Sequence, residues 1–258
     1  MVIADRFKSR PGAETVRLPS GGEMTLAVEH AAAILVNEQT AFRVVCTPEL
    51  LPQLALGRLL TEGWITCADE VEQIAVCAEG LKVSVHLTHP LETAAAGQEV
   101  PSCCTDNLTV ASPVKLRPLA PVPQREIPDE WVETLAAAMG DELPLYRATH
   151  AVHSCFVLRD GKILYQCEDL GRHNALDKAV GCALAEGVQL GECVLYTSGR
   201  VPVDMVRKAI RAGVPALVSK TMPTVQSLEL AEAYGLKLLI RKKKSFHAAA
   251  KKVRECSG

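Results

Sequence analysis

The feature of this sequence that most constrains its fold is an alternation of strand-like and helix-like segments between residues 151 and 240. A hairpin that turns at Arg159-Asp160-Gly161 comes first, and three helix–strand units follow it. Prolines near helix starts and glycines just past helix ends mark the boundaries. Such alternation predicts a mostly parallel sheet covered on both faces. The predicted hairpin strands are 151–158 and 162–167, the helices 173–186, 202–211 and 223–234, and the later strands 193–197, 215–219 and 236–240.

Polar residues follow the ends of four predicted strands. In sheets of this kind ligands bind outside the carboxyl ends of the strands, and Gly199 would let backbone N–H groups approach a phosphate closely. We therefore predict a site for a phosphorylated or nucleotide-bearing ligand at this edge. The candidate residues are Glu168, Asp169, Arg172, His173 and Asn174 in the first connection, Ser198, Gly199 and Arg200 in the second, Ser219 and Lys220 in the third, and Arg241, Lys242, Lys243 and Lys244 in the fourth.

The first connection is more crowded with charge than a turn requires. Residues 166–178 hold two carboxylates, an Arg, a His and an Asn, and they end with the pair Asp177–Lys178. Polar groups where a strand meets a helix N-terminus suit an anionic ligand, so Asp177 and Lys178 join the candidates. The alternative is a capped helix start, with Asp177–Lys178 as a helix-surface pair and His173 as either a proton donor or a helix-start residue.

The N-terminal part predicts a smaller α+β unit. Residues 1–22 are polar and predict a frayed arm, and strands are predicted at 25–28, 33–36, 41–46, 71–77 and 81–87, with a helix at 48–63. A long, weakly patterned segment, 88–128, follows and precedes a helix predicted at 128–140. It contains Cys103-Cys104, the thiols outside any apolar run, which makes them the candidate reactive site. We predict an N-terminal domain at 14–118 and a C-terminal domain at 119–258.

Composition excludes several classes of function. The chain has 258 residues, 48% of them hydrophobic, and a net charge of −2, which makes no case for a nucleic-acid or membrane partner. No apolar run approaches the roughly 18 residues of a membrane span, and no signal-peptide core opens the chain. We expect a cytoplasmic protein with reduced thiols. No C-x-x-C, H-x-E or H-E-x-x-H pattern occurs, so no metal site is predicted.

Five segments of the sequence together resemble one known family. They are Glu168-Asp-Leu-Gly-Arg-His-Asn-Ala-Leu-Asp-Lys178, Ser198-Gly-Arg200, Met205-Val-Arg-Lys208, Ala212-Gly-Val-Pro215 and Leu56-Gly-Arg-Leu-Leu-Thr-Glu-Gly63. They resemble the formate dehydrogenase accessory sulfurtransferase family, FdhD, and the similarity covers roughly residues 14 to 247. The resemblance implies an α/β fold with a C-terminal cytidine-deaminase-like three-layer domain and a smaller N-terminal α+β domain. It also implies a cytoplasmic homodimer.

The resemblance implies a sulfurtransferase. In the family, a cysteine on a mobile loop accepts sulfur from a cysteine desulfurase as a persulfide and passes it to a bis-molybdopterin guanine dinucleotide cofactor. That cofactor is then inserted into formate dehydrogenase. A guanine nucleotide is expected to occupy the same site here. In the family, a basic stretch near the chain end belongs to the cofactor site, and Arg241 to Phe246 matches it. Ser245, within that match, and Ile240, directly before it, therefore join the candidates.

The reactive loop departs from the family pattern Ser-Cys-Gly-x-Cys-Gly. Ser102-Cys103 matches its start, which makes Cys103 the expected catalytic persulfide carrier, whereas the second family cysteine falls on Asp106. Cys104 occupies the intervening glycine position and is expected to be auxiliary or incidental. A sulfur carrier must present a thiolate, which Asp106 opposes and the cationic edge favours. The loop is therefore expected to react when it folds over the ligand edge.

Three other functions are weighed against sulfur transfer. A deaminase needs zinc ligands and a Glu acid/base, and neither H-x-E nor P-C-x-x-C occurs. An NAD enzyme needs a G-x-G-x-x-G after a strand, which this sequence lacks. A molybdenum-cofactor-binding chaperone without sulfur transfer stays open, because the loop is altered at Asp106.

Overall fold

The structure, a computed structural model, describes residues 1–8, 10–92, 108–109, 115–138, 143–242 and 245–248. Residues 108–109, 241–242 and 245–248 are described by their backbone alone. Two six-stranded sheets and one two-stranded sheet are present in these residues, together with helices that pack on them. The fold is therefore mixed α/β, as the sequence predicts.

The first sheet is built from the N-terminal part of the chain in the order β1-β6-β7-β4-β5-β8. Ile34, Val36 and Val44 turn their side chains into its core, because alternate residues of a strand point to opposite faces. A hairpin of β2 and β3 forms the two-stranded sheet. The elements are β1 (Val2–Asp5), β2 (Ala13–Arg17), β3 (Glu23–Ala27), β4 (His30–Val36), β5 (Gln39–Cys46), α1 (Leu51–Thr61), β6 (Val71–Val76), β7 (Lys82–Leu87) and β8 (Leu108–Thr109).

The prediction that residues 1–22 form a frayed arm is wrong. Strand β1 pairs in parallel with β6, and β2 pairs with β3 around the turn at Gly21-Gly22, where both glycines have positive φ. These strands are short and mostly exposed, so their side chains lack the alternation of apolar and polar residues that reveals a half-buried strand.

The second sheet is built from the C-terminal part in the order β10-β9-β11-β12-β13-β14. The β11–β12 and β12–β13 ladders are parallel, and β10 runs in the same direction because it and β11 are both antiparallel to β9, so four of the six strands described share one direction. Hairpins place β9 and β14 antiparallel to their neighbours. The elements are α2 (Asp129–Ala138), α3 (Pro144–Thr149), β9 (His153–Arg159), β10 (Lys162–Asp169), α4 (Arg172–Ala185), β11 (Cys193–Thr197), α5 (Val203–Ala212), β12 (Ala216–Ser219), α6 (Val225–Tyr234), β13 (Lys237–Lys242) and β14 (Ser245–Ala248).

Both faces of the second sheet are covered, as predicted. On one face, Phe156 and Tyr196 pack with Leu135 of α2. On the other face, Val157 and Leu195 belong to the core that includes α4 and α5. The glycine stops predicted for α5 and α6 are confirmed, because Gly213 and Gly235 cap those helices in the left-handed conformation.

The hydrophobic core runs without interruption from the first sheet through α1 and α4 to the second sheet. Helices α1 and α4 touch backbone to backbone, since a Cβ on Gly57 would lie 1.8 Å from the Asp177 carbonyl oxygen. One on Gly181 would lie 1.9 Å from the Gln53 carbonyl oxygen. The domain boundary at 118/119 stays a prediction, but the units on its two sides share one core.

Candidate ligand site at the carboxyl edge of the second sheet

The ends of strands β10, β11, β12 and β13 lie along one edge of the second sheet. Thr197 pairs with Ser219, and Ser219 pairs with Ile240, so β11, β12 and β13 end side by side. Strand β10 runs in the same direction, because it and β11 are both antiparallel to β9. The four polar connections predicted from the sequence therefore follow strands that end at the same edge. This edge is called the carboxyl edge below.

Three of the candidate residues at this edge bind the N-terminal unit. Asp169 is fully buried and accepts hydrogen bonds from Thr47 N at 3.0 Å and Asn174 Nδ2 at 2.9 Å. Lys178 Nζ lies 2.7 Å from Asp169 and donates to the Thr47 hydroxyl at 2.6 Å. Asn174 also donates to Val45 O at 2.8 Å. Asp169, Asn174 and Lys178 therefore join β10 and α4 to the end of β5.

Asp177 belongs to a second buried network between the two units. Its carboxylate accepts hydrogen bonds from Thr61 Oγ1 at 2.6 Å and from Lys208 Nζ at 2.9 Å, and Arg58 lies 3.7 Å away. Glu62 also pairs with Lys208 at 2.8 Å. Burial alone would raise the pKa of Glu62, but Lys208 and Arg58 lower that pKa to about 2. Asp177 and Lys178 therefore do not pair with each other on the helix surface. Each belongs to a separate buried ion pair, Asp177 with Lys208 and Lys178 with Asp169.

Glu168 holds the helix that lies beside the edge. Its carboxylate accepts the backbone N–H groups of Leu145 at 3.0 Å and Tyr146 at 2.8 Å, which satisfies donors in the first turn of α3. Burial raises the pKa of Glu168, while the two backbone hydrogen bonds act against that rise.

His173 lies at the start of α4, where it contacts the next helix. It is 2% exposed, and its Nε2 is 2.6 Å from the Oδ2 of Asp204 in the first turn of α5. Burial raises the pKa of Asp204, but the hydrogen bond and charge of His173 bring the net pKa below its usual value. The pair therefore fixes the starts of α4 and α5 relative to each other.

Hydrogen bonds join the second connection to β9 and to the third connection, through Ser198, Gly199 and Ser219. Ser198 Oγ accepts Ser154 N at 2.8 Å, and the Ser219 hydroxyl donates to Gly199 O at 3.2 Å. The Gly199 N–H donates to Thr197 Oγ1 at 3.2 Å. A Cβ on Gly199 would lie 2.7 Å from Cβ of Arg172, so the glycine makes room for that arginine. The Gly199 N–H therefore bonds to Thr197, and the glycine accommodates Arg172, whereas the sequence predicts that this N–H approaches a phosphate.

A cavity of about 540 Å³ opens at the carboxyl edge, on the face of the sheet where α2 packs, and residues of α2 and α3 help to line it. Two predicted residues line it, Ser198 and the exposed Lys220. Its volume lies within the range of small-molecule sites. The lining residues are Ala138, Leu143, Tyr146, His150, Ala151, Val152, His153, Ser154, Phe156, Tyr196, Ser198, Lys220 and Thr221.

His150 and His153 also line the cavity, although the sequence prediction includes only residues that follow the carboxyl ends of strands. Strand β9 is antiparallel to β10, and its first residue, His153, pairs with Asp169 at the end of β10. An antiparallel strand brings its amino end to the edge where its neighbour ends. The predicted hairpin was therefore a sufficient signal to add these histidines to the site.

The carboxyl edge is positive around His153. Burial lowers the pKa of His153, and the nearby charges of Arg172, His173 and Arg200 lower it further, while Asp169 acts in the opposite direction. His153 therefore favours its neutral form, in which an imidazole can both donate and accept a hydrogen bond. Arg200 is exposed and Arg172 half-buried at the same edge.

The fourth connection is described only in part. Ile240 is buried in β13, and the backbone of Arg241 and Lys242 continues that strand beyond Ser219. Ser245 pairs with Lys242 at the start of β14. Lys243, Lys244, Cys103 and Cys104 lie outside the described residues.

The described part of the chain offers neither a metal site nor a membrane-spanning helix. No three His, Cys, Asp or Glu side chains come together there in a way that would hold a metal ion. No helix there combines the length and the apolar character that a membrane crossing needs. The groups that line the cavity suit an organic ligand with negative charge, because they combine aromatic rings, hydroxyls, histidines and a lysine.

Fold and site together define an α/β protein with a cavity at the carboxyl edge of its second sheet and cations beside it. The chain belongs to the FdhD/NarQ family, whose sequence model matches residues 27–249, and the resemblance read from its motifs is thereby confirmed. A relative from Nocardia farcinica named "Sulfur carrier protein FdhD" is 33% identical over 254 residues, covering 87% of this chain and 86% of that protein. One of the same name from Bacillus subtilis is 30% identical over 220 residues, covering 83% of each.

A solved structure shares the fold. It is a crystal structure described as that of a formate dehydrogenase accessory protein from Desulfotalea psychrophila. The two chains superpose with a TM-score of 0.71 at 27% identity, covering 94% of this chain and 96% of the other.

Proposed function

We propose that this protein is a sulfur carrier for the maturation of formate dehydrogenase. It takes sulfur from a cysteine desulfurase as a persulfide on Cys103 and delivers it to a bis-molybdopterin guanine dinucleotide cofactor, the substrate of the transfer. The observation that carries this proposal is the family match over residues 27–249, with relatives named as sulfur carriers. A homodimer in the cytoplasm is part of the same proposal.

The cavity at the carboxyl edge supports the nucleotide part of the proposal. Lys220 and Arg200 are exposed cations that would pair with phosphates, and Ser154 and Thr221 offer hydroxyls. Phe156 and Tyr196, whose ring centroids are 4.8 Å apart, form its aromatic wall beside the histidines. The basic stretch Arg241 to Ser245 would extend the phosphate site along the same edge.

The buried candidates serve this site in a different way. Asp169, Asn174, Asp177, Lys178 and Ser219 are each 0% exposed and hydrogen-bonded within the protein. Their predicted contact with a ligand stays a prediction, and the geometry argues against it. We propose instead that they fix the positions of the connections that do contact the nucleotide.

The length of the chain between Cys103 and Leu108 is compatible with a Cys103 thiol at the carboxyl edge. Leu108 pairs with Arg43 in β5, and β5 ends beside Thr47, which donates to Asp169 at the carboxyl edge. Cys103 precedes Leu108 by a segment that spans at most about 17 Å when fully extended. From Arg43 to Thr47 the strand direction covers about 13 Å. The reach of the chain is therefore compatible with transfer at this edge.

Sulfur loading tests the proposal directly. The protein is incubated with cysteine and a cysteine desulfurase, and its peptides are then analysed by mass spectrometry with and without a reductant. We expect a reducible sulfur adduct on Cys103 that is lost in Cys103→Ala and kept in Cys104→Ala, the matched control one residue away. An adduct that survives Cys103→Ala would refute the persulfide assignment.

A cofactor-binding chaperone is the second candidate, favoured by Asp106 at the position of the family's second cysteine. The two functions differ in what Cys103→Ala does to a client. A sulfur carrier loses the ability to activate formate dehydrogenase in this variant, although it still binds guanosine diphosphate. A chaperone keeps both properties.

A further inference from the structure

Two thiols outside the candidate site lie in contact with each other. The Sγ atoms of Cys167 in β10 and Cys182 in α4 are 4.0 Å apart. Other described cysteines bond to the main chain instead: Cys46 Sγ donates to His30 O, and Cys193 Sγ donates to Gln189 O. A thiol–thiol contact between a strand and the helix that packs on it is the arrangement from which a disulfide can form.

The two thiols differ in access and in acidity. Cys182 is half-buried, whereas Cys167 is buried and faces Cys155 across the β9–β10 ladder. The hydrogen bond with Cys167 lowers the pKa of Cys182, with burial and the charge of Glu186 acting against it and Lys178 adding to it. The same hydrogen bond, together with burial, raises the pKa of Cys167. Cys182 is therefore the thiol that a reagent meets first and the one that becomes a thiolate more readily.

We propose that Cys167 and Cys182 form a dithiol pair that low-molecular-weight disulfides oxidise to an intramolecular disulfide. The Cys182 thiolate attacks one sulfur of the disulfide RSSR, which forms a mixed disulfide and releases one RSH. Cys167 Sγ then attacks the Cys182 sulfur and releases the second RSH. The two protein thiols give up two electrons and two protons, and RSSR leaves as two molecules of RSH.

The consequence would fall on the first polar connection. The cross-link closes the segment 168–181, which contains the end of β10 and the start of α4. That segment carries Arg172 and His173, so oxidation would tie together the two elements that position them. Closing the segment also reduces the entropy of the unfolded chain, which stabilises the folded protein. The inference does not depend on the role proposed for Cys103.

Peptide mapping tests the pair without ambiguity. The native protein is treated with oxidised glutathione, its remaining thiols are alkylated, and it is digested with trypsin without reduction. Cys167 falls in peptide 163–172, Cys155 in 148–159, and Cys182 with Cys193 in 179–200. We expect 163–172 joined to 179–200, with fragment ions that place the bond on Cys182. A thermal midpoint raised above that of the reduced protein is expected as well.

Three variants establish the order of the steps. Cys167→Ala should leave glutathione trapped on Cys182, and Cys182→Ser should abolish the cross-link. Cys155→Ala removes the buried thiol opposite Cys167 and serves as the matched control that still forms it. Free, alkylated Cys182 in the treated wild type would overturn the proposal. So would a stable mixed disulfide on wild-type Cys182, or a bond from Cys167 to Cys155 or Cys193.

Discussion

Two lysines among the predicted site residues have opposite surroundings: Lys178 lies in α4, and Lys220 follows β12. Lys178 is 0% exposed and paired with Asp169, whereas Lys220 is exposed at the rim of the cavity. Lys178→Met removes one partner of a buried ion pair and should lower the free energy of unfolding by about 3–5 kcal/mol. Lys220→Met should change it by less than about 0.5 kcal/mol but weaken the binding of guanosine diphosphate. Urea denaturation and titration calorimetry measure the two quantities.

The same substitution at both positions makes these lysines controls for each other. If Lys220→Met binds guanosine diphosphate as well as the wild type, the cavity does not hold the phosphates. If Lys178→Met unfolds at the wild-type urea concentration, its contact with Asp169 contributes no net stability.

His153 should make stability depend on pH. Burial, assisted by Arg172, His173 and Arg200, lowers the pKa of His153 below the unfolded value of about 6.5. The unfolded state therefore binds more protons between these two pKa values, and the free energy of unfolding must rise with pH through that window. Above about pH 6.5 this contribution levels off. His153→Gln should flatten the slope relative to the wild type in denaturant titrations from weakly acidic to neutral pH, and an unchanged slope would contradict this.

At the residue scale, the sequence predicts where the polar residues lie better than it predicts what they contact. The polar stretch 166–178 does lie at the carboxyl edge, but Asn174, Asp177 and Lys178 turn toward the N-terminal unit. Nothing local distinguishes a buried polar face from a ligand-facing one, because α4 is buried on nearly all sides. The partners that satisfy these groups, Thr47 and Thr61, lie more than a hundred residues away.

At the element scale, two glycines make the contact between α1 and α4. Glycine weakens a helix interior by about 1 kcal/mol relative to alanine, so Gly57 and Gly181 are unfavourable within their own helices. Between the helices they allow an approach that a methyl group would prevent, since each Cβ would overlap a backbone carbonyl oxygen. The close approach also places Asp177 in reach of Thr61.

Gly57→Ala should therefore destabilise the protein despite the better helix propensity of alanine. We expect a loss of about 3 kcal/mol in the free energy of unfolding, because the added methyl would lie 1.8 Å from backbone that cannot rotate away. Gly12→Ala is the matched control, since its methyl would meet only side-chain ends, those of Leu145 at 3.1 Å and Glu49 at 3.7 Å. Equal urea midpoints for the two variants would show that α1 and α4 separate at little cost.

The elements that the sequence predicts well are those with strong periodicity and clear stops. Strand β11 has the predicted bounds, 193–197, and α4, α5 and α6 lie within two residues of theirs. Short elements were missed: α3 has six residues, and β14 follows a run of lysines. Their residues carry too few turns or alternations to show a period, and tertiary contacts such as those of Glu168 with α3 hold them in place.

At the scale of the whole molecule, the two units are joined by more than a linker. The core includes Leu56 of α1 and Ala179 of α4 in one cluster, and two buried ion networks, around Asp169 and Asp177, cross the same junction. Breaking this junction would expose charged groups and apolar surface together, which is costly in both respects. The loss of one unit should therefore unfold the other.

The two tryptophans allow this to be tested in the intact chain. Trp64 is 5% exposed in the N-terminal unit beside Phe42, and Trp131 lies in α2 beneath Arg125 in the C-terminal unit. Trp131→Phe and Trp64→Phe each leave one fluorescent reporter, in a different unit. In each variant, we expect the single tryptophan and far-ultraviolet circular dichroism to give the same urea midpoint, because a shared core unfolds in one transition. If the Trp64 reporter unfolded at a urea concentration different from that of the rest of its own chain, the boundary at 118/119 would separate units that fold independently. The networks around Asp169 and Asp177 would then only hold together two units that each fold without the other.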